Sequence, residues 1–221
     1  MPSSSHGLDV KQLILVPAVI SLGVTLLRLV GEINRWSPAL FGREAGGGGS
    51  IVGVAWLVPL FGVYFALKLV KMGHAPASGW KTAGTSLLGI VAAVAVTTVL
   101  FLIAQSFAVQ IGAGALAAVA ALLVVRKTWP ALFKTLLAYG FAVRIPVAIV
   151  MLFAIYGGWG THYELGPPGT PEMAPFVKWI VIGVIPQMTA WVGYTVVIGT
   201  LFGGIAVALK GKAAKQAAQP A

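Results

Sequence analysis

Residues 83–125 read AGTSLLGIVAAVAVTTVLFLIAQSFAVQIGAGALAAVAALLVV, and none of these 43 side chains carries a charge. A single α-helix of that length would extend about 64 Å, roughly twice the thickness of a bilayer's hydrocarbon core. The stretch must therefore turn, and the glutamines and serine near its middle, Gln105, Ser106 and Gln110, are the polar cluster at which we place that turn. We predict two transmembrane helices joined by a tight hairpin at the membrane surface. A re-entrant pair that stops short of the far side is the alternative.

The composition of the whole chain indicates the same environment. Charged residues make up 9% of the 221 positions and apolar residues make up 58%. The 15 basic and 5 acidic side chains are too few to cover the surface of a soluble protein of this size. The lipid bilayer is therefore the first predicted partner. The net charge of +10 is not gathered on one face or in one run, so we expect no nucleic-acid binding.

Six segments are long and apolar enough to cross a membrane, which predicts an all-α, polytopic transmembrane helix bundle. These segments are residues 13–31, 51–70, 83–104, 107–125, 136–156 and 176–209. The last segment would be about 51 Å long as a straight helix. Pro186 lies a third of the way along it, and we expect a kink or break there because proline removes a backbone donor.

Lysine and arginine are divided unequally between the two sides of this bundle. One side has Lys11, Lys68, Lys71, Lys81, Arg126, Lys127, Lys134, Lys210, Lys212 and Lys215, and the other has Arg28, Arg35, Arg43 and Lys178. The positive-inside rule then predicts cytoplasmic tails at residues 1–12 and 210–221, in a plasma (inner) membrane. The first segment is predicted to be an uncleaved signal anchor. The lysines of the second tail predict weak attraction to anionic lipid on the cytoplasmic side.

Arg144 is the most unusual residue, since it lies near the centre of the fifth segment. An arginine at that depth costs about 2.5–3.5 kcal/mol even on the lenient insertion scale. We expect all five acidic residues to lie in tails or loops, so none is predicted beside it. Arg144 could extend to the inner surface, or bond to the Ala142 carbonyl that Pro146 leaves without its helical donor. The functional alternatives are a contact with an acidic partner chain or lipid headgroup, and an anion transport site.

Other residues predict local contacts. Arg28 and Glu32 stand one helical turn apart near the outer end of the first segment, which predicts an interfacial ion pair. Two sets of small residues at helical spacing predict close helix packing, inside the bundle or against a second copy or another membrane chain. These sets are Ala113, Gly114, Ala117, Ala118 and Ala121, and Gly199 with Gly203. The polar residues of the last segment predict packing between helices or a polar path, and they are Gln187, Thr189, Tyr194 and Thr195.

The loop at residues 157–175 contains the only metal-ligand pattern, which is weak. His162 and Glu164 could point the same way in an extended stretch, and Glu172 could join them. We expect an ordinary exposed loop instead, with no metal and no cofactor. The other long loop ends in Gly46-Gly47-Gly48-Gly49-Ser50, which predicts a flexible linker with Ser50 as a helix cap.

No recognised catalytic motif is present, and the membrane segments offer few titratable groups for acid–base chemistry. We therefore predict that the chain is not an enzyme but a non-catalytic membrane subunit or scaffold. The alternative is a small transporter or channel for ions or small anions, indicated by Arg144 and the polar residues near Pro186. A third hypothesis, an intramembrane enzyme, depends on the His162 loop alone.

Overall fold

The computed structural model describes residues 8–45 and 50–217, and for residues 212–217 it describes the backbone alone. All regular secondary structure in that part of the chain is helical. Within the described residues, six helices are long and apolar enough to span a membrane, which confirms the predicted fold class. They are α1 (Val10–Ile33), α2 (Leu57–Lys71, after a 3₁₀ turn at Val54–Trp56), α3 (Gly79–Ile103), α4 (Phe107–Val125), α5 (Pro130–Gly157) and α6 (residues 175–217).

The helix ends differ from the predicted segments where caps decide them. Ser78 caps α3 by accepting a hydrogen bond from the Lys81 amide, so this helix begins four residues before the predicted segment. Pro130 starts α5 six residues early, since proline suits the first helical position. The prediction that Ser50 is a helix cap is wrong. Its hydroxyl instead donates to the Leu40 carbonyl at 2.6 Å, within the loop.

The uncharged stretch turns where its polar residues lie. α3 ends at Ile103, and α4 begins at Phe107 with Ser106 as its N-cap, whose hydroxyl accepts from the Val109 amide at 3.3 Å. The two helices pack against each other along their length. Both are long enough to cross a membrane, so the structure favours two crossings over a short re-entrant pair.

α6 remains helical through Pro186, but its geometry changes there. The helix starts as α-helix at Pro175–Lys178 and becomes π-helical at Trp179–Val184 and again at Gln187–Trp191. It returns to α-geometry at Val192–Ala217. Wider π turns shift the hydrogen-bonding pattern by one residue and accommodate a proline that has no N–H to donate. Pro186 therefore marks an irregular stretch within a single long helix.

α6 lies at the centre of the bundle, where it contacts α2, α3, α4 and α5. Glycine permits the closest of these contacts. A Cβ atom built on Gly62 of α2 would lie 2.5 Å from the Gly199 carbonyl oxygen, and one on Gly79 of α3 would lie 2.7 Å from the Gly204 carbonyl oxygen. The backbones approach so closely that no larger residue fits at these crossings.

The structure places the predicted small-residue sets inside the bundle. Ala113, Ala117, Ala118 and Ala121 are buried on α4. The remaining members also face neighbouring helices, since a Cβ atom on Gly114 would meet Ala190 and one on Gly203 would meet Ala66 and the Gly62 carbonyl. These residues are therefore occupied by packing within one chain.

A polar contact fixes the relative height of α1 and α5. The Ser21 and Tyr139 hydroxyls are 2.7 Å apart, and the Tyr139 ring packs edge-on against Phe61 and Phe65. The C-terminal ends of α1 and α5 lie on the same side of the bundle, because Glu32 at the end of α1 contacts His162 just after α5. We call this side the loop side, since it also carries the long connections 34–53 and 158–174.

Candidate functional site

A cavity of about 810 Å³ lies within the bundle and extends to the loop side. Every long helix except α3 contributes to its lining, together with the two long loops. Its volume lies within the range typical of small-molecule binding sites. Most lining side chains are apolar, and the charged ones are Arg28 of α1 and Arg144 of α5. His162 and Tyr163 of the second loop cover it at the loop side.

Arg144 is buried in the middle of α5. It is the fifteenth of 28 residues in the helix, about 20 Å from either end, and only 4% of its surface is exposed. Its guanidinium carbon lies 4.6 Å from the centre of the Trp191 ring, a cation–π contact with α6. Its Nη1 atom donates a long hydrogen bond, 3.5 Å, to Oε1 of Gln187. The side chain therefore points across the cavity to the irregular part of α6.

The contacts of Arg144 leave most of its hydrogen-bonding capacity unused. Its Nε and Nη2 atoms are buried, and neither has a hydrogen-bond partner among the described residues. A guanidinium group has five N–H donors, and buried donors without partners are destabilising. Arg144 is thus a buried cation on a cavity wall, with donors available for a ligand.

Both structural explanations predicted for Arg144 are wrong. The side chain does not extend to the membrane surface, because its guanidinium is held at mid-helix by Trp191 and Gln187. It also does not bond to the Ala142 carbonyl, since its one hydrogen bond within the described chain goes to Gln187. The reason lies in the tertiary structure, because α6 places the Trp191 ring and the Gln187 amide at the depth of Arg144.

Arg28 lies close to the level of Arg144. It is seven residues beyond Ser21, and Arg144 is five residues beyond Tyr139, which bonds to Ser21. Since α1 and α5 run in the same direction, the two arginines differ in height by about 3 Å. Arg28 also donates from Nη2 to the Gly42 carbonyl at 3.0 Å, a bond that ties it to the first loop. Two arginines thus border one cavity at similar depth, and the charge of Arg28 is paired with Glu32.

Glu32 joins α1 to the second loop. Its Oε1 accepts from Nε of Arg28 at 2.7 Å and lies 2.6 Å from Nδ1 of His162, and its Oε2 accepts from the His162 amide at 2.9 Å. The prediction placed Arg28 and Glu32 as a pair at the interface, with Glu32 in a loop. The structure instead places Glu32 within α1, 1% exposed, in a buried cluster of three residues.

His162 does not belong to an ordinary exposed loop, so that prediction is wrong. Its side chain is 13% exposed and contacts Glu32, whereas Glu164 turns back to accept from the Gly160 amide at 2.6 Å. These two side chains therefore do not converge on one point. Within the described residues, no three histidine, aspartate or glutamate side chains group closely enough to bind a metal ion.

The environment of His162 makes its attachment to α1 dependent on pH. Burial lowers the pKa of His162 below its usual value of 6.5, and the hydrogen bond with Glu32 offsets this lowering only in part. Arg28 adds repulsion, and the Tyr163 ring lies against the imidazole at 3.9 Å between ring centres. Neutral His162 is therefore the form that suits the closed loop.

We expect acidification below pH 6.5 to loosen residues 158–174. In the open loop His162 has its usual pKa of 6.5, so below that pH the open loop binds more protons than the closed loop. The stability of the closed form therefore rises with pH and is lost as the pH falls below 6.5 through the lowered pKa of His162. Hydrogen exchange of the loop amides, corrected for intrinsic rates, would measure the effect. In a His162→Gln variant the pH dependence should disappear, and its persistence would assign the effect to another group.

The sequence carried a signal for this cluster that the prediction did not use. Ser21, Thr25, Arg28 and Glu32 recur every three or four residues, which places them on one face of α1. All four are buried in the structure. A polar stripe along an apolar transmembrane helix indicates a face turned to the protein interior. The partner His162, 130 residues away, had no comparable signal.

The remaining polar residues of α6 are used in two ways. Gln187 and Tyr194 line the cavity. Thr189 and Thr195 donate instead to the carbonyls four residues before them, at 2.6 and 2.9 Å. Such bonds satisfy a threonine hydroxyl within its own helix. The polar groups that α6 presents to the cavity are therefore the Gln187 amide and the Tyr194 phenol.

Comparison with known proteins adds no assignment to this geometry. The chain matches no protein-family model, and neither the curated proteins nor the solved structures include one with significant similarity to it.

Proposed function

We propose that this chain is a membrane transporter that binds an anion at Arg144. The observation that carries the proposal is a fully buried arginine, with two nitrogens lacking partners, on the wall of an 810 Å³ cavity. An anion there would accept from the free donors of Arg144 and offset the cost of burying its charge. Arg28 lies at similar depth but is paired with Glu32, so the proposal depends on Arg144.

The shape of α6 supports transport over static binding. Its π-helical stretches flank Pro186, and the second of them contains Gln187 and Trp191, both of which contact Arg144. Irregular helices next to a mid-membrane ligand site are a recurring feature of transporters, where they allow local rearrangement around the bound substrate. We propose that this part of α6 moves when the anion binds or leaves.

The orientation of the transporter follows from the charge distribution. The loop side carries four basic residues, which are Arg28, Arg35, Arg43 and Lys178. The opposite side carries the larger set of ten basic residues. We propose a plasma (inner) membrane location with both termini in the cytoplasm, so that the loop-covered end of the cavity faces outward. Single cysteines introduced into this cysteine-free chain would test the orientation. Those in residues 158–174 should react with an impermeant thiol reagent added outside intact cells.

Arg144→Gln should reduce anion uptake by roughly 10–100-fold at low anion concentration. The change removes the charge and keeps a polar side chain of similar reach, and a lost charge-assisted interaction of this kind is worth roughly 10–100-fold in affinity. The measurement is uptake into proteoliposomes across a panel of carboxylates, phosphates and inorganic anions. Arg126→Gln is the matched control, because Arg126 is exposed at the end of α4. Equal uptake by Arg144→Gln and the unmodified protein would refute the proposal.

A non-catalytic subunit or scaffold is the second candidate function. The same free donors of Arg144 favour it, because an acidic side chain of a partner chain could be the anion that they bind. The small-residue sets no longer support it, since they pack within the bundle. Gentle solubilisation followed by mass spectrometry tests this role. A chain that runs alone, with no copurifying protein, would count against it.

A further inference from the structure

One face of α6 lines the cavity from end to end. Gln187, Trp191, Tyr194, Ile198 and Phe202 all belong to the lining, and they recur every three or four residues. Fifteen residues separate the first from the last, which corresponds to about 22 Å along the helix axis. One leaflet contributes about 15 Å of hydrocarbon. The cavity is therefore a long groove and not a compact pocket.

The polar residues of the groove lie together near Arg144, with apolar lining residues such as Met151 and Ile182 on their loop side. Gln187 and Trp191 contact Arg144, and Arg28 and His162 line the same part of the groove. Toward the other end the face of α6 continues with Ile198 and Phe202. No aspartate or glutamate is found among the described residues of the lining. Arg28 is paired with Glu32, which lies outside the lining, so Arg144 is the cation of the groove that has no carboxylate partner among the described residues.

The groove reaches the lipid-facing surface of the bundle. Phe202 at its apolar end is 41% exposed, and Trp56, which precedes α2 and also lines the cavity, is 69% exposed. In a membrane protein, exposed apolar side chains on the flanks of transmembrane helices contact lipid tails. A chain lying along α6 could therefore extend from the cavity into the bilayer between these two aromatic residues.

We infer that the anion is an amphiphile, with one acidic headgroup at Arg144 and a long apolar chain along the Ile198–Phe202 face of α6. This inference rests on the proposed function, because it names the substrate class of the same site. The headgroup chemistry is that of a carboxylate or a phosphate monoester, either of which accepts two N–H bonds from arginine. The ligand enters sideways from the membrane.

Selectivity should come from the headgroup and from confinement of the chain. Lipid is as apolar as the groove, so moving a hydrocarbon chain from one to the other gains little free energy. Binding must therefore be compared at equal mole fraction in the membrane, against a neutral amphiphile of the same chain length. The charged ligand should bind at least tenfold more tightly than the neutral one.

Photocrosslinking tests the position of the chain. The purified protein in nanodiscs is exposed to a long-chain fatty acid and to a long-chain alkyl phosphate, each with a diazirine near the end of its chain. We expect labelled peptides around Ile198 and Phe202. Excess unlabelled fatty acid should suppress the label, whereas its methyl ester should not. Labelling spread evenly over the lipid-exposed surface of α1 and α3, with no such competition, would overturn the inference.

Substitutions at Ile198 and Arg144 test where the chain and the headgroup of the ligand lie. Ile198→Trp fills the groove and should reduce labelling at Phe202 at least tenfold, while Val94→Trp, at a lipid-exposed position of α3, should not. Arg144→Gln should reduce the labelling, and Arg144→Lys should restore part of it because the charge returns. Unchanged labelling in Ile198→Trp or in Arg144→Gln would show that the chain does not lie along α6 from a headgroup at Arg144.

A short anion separates this inference from the proposed function. Radiolabelled butyrate and methyl phosphate carry the same headgroups without the long chain. If they bind at Arg144 as tightly as the long-chain anions at equal membrane mole fraction, the inference of an amphiphilic ligand is wrong, but the proposed anion site is supported. If neither short nor long anions bind in an Arg144-dependent manner, both proposals fail.

Discussion

Gly62→Ala is expected to destabilise the folded protein by about 3 kcal/mol, the upper end of the usual cost of overpacking. The added methyl group would lie 2.5 Å from the Gly199 carbonyl oxygen and 2.6 Å from its Cα atom. Both are backbone atoms of α6 and cannot rotate away, so α2 and α6 must separate. The separation would also loosen Gly203, which packs at the same crossing.

Thermal unfolding in detergent, followed by tryptophan fluorescence, would measure this effect. For a chain of this size we expect the midpoint to fall by roughly 6–12 °C. Gly84→Ala is the matched control, because Gly84 lies within α3 and no heavy atom outside its own helical turns comes within 4 Å of the position its Cβ would take. Alanine is the better helix former, so that variant should unfold at the same temperature or slightly higher. Equal midpoints for the two variants would show that α2 and α6 do not cross at Gly62.

Glu32→Ala is expected to cost about 3–5 kcal/mol, the usual range when one partner of a buried ion pair is removed. Three hydrogen bonds end on this carboxylate, one from Arg28 and two from His162. Without it, the charge of Arg28 stays buried without its carboxylate partner, and the second loop loses its attachment to α1. The loop should then open over the cavity.

The effect of Glu32→Ala should appear in two measurements. The unfolding midpoint should fall, and limited proteolysis should cleave residues 158–174 faster than in the unmodified protein. Glu44→Ala, an exposed carboxylate of the first loop, should stay within about 0.5 kcal/mol. If Glu32→Ala resembles this control, the carboxylate does not hold the loop. Replacing both Arg28 and Glu32 by methionine should recover part of the loss, since no buried charge remains.

Sequence patterns predicted the fold because the membrane limits the possible structures. Backbone groups in hydrocarbon must bond within their own helix, so length and apolarity alone identify a crossing. The hairpin near Gln105 followed from the same argument, since 43 uncharged residues exceed one membrane thickness. Helix ends were less predictable, because caps such as Ser78 and Pro130 lie outside the apolar windows.

The site was predicted only in part. The sequence singled out Arg144 because its charge is costly at mid-membrane, and that argument needs no partner. It could not identify Trp191 and Gln187 as the contacts, since they depend on how α6 rotates against α5. Likewise, Arg28 and Glu32 are one turn apart and could be paired from the sequence. The third member, His162, is brought to them only by the path of the loop.

By itself, the sequence determined that the chain has six segments long and apolar enough to cross a membrane and that one of them carries an arginine near its centre. Both conclusions depend on the transfer of single groups from water to hydrocarbon, which is a property of the residue and its segment. The tertiary structure alone decided that Arg144 faces a cavity with unused donors, that Glu32 holds a loop over it, and that one face of α6 extends the cavity toward lipid. These features depend on helix rotation and close packing between distant segments, which no local pattern encodes.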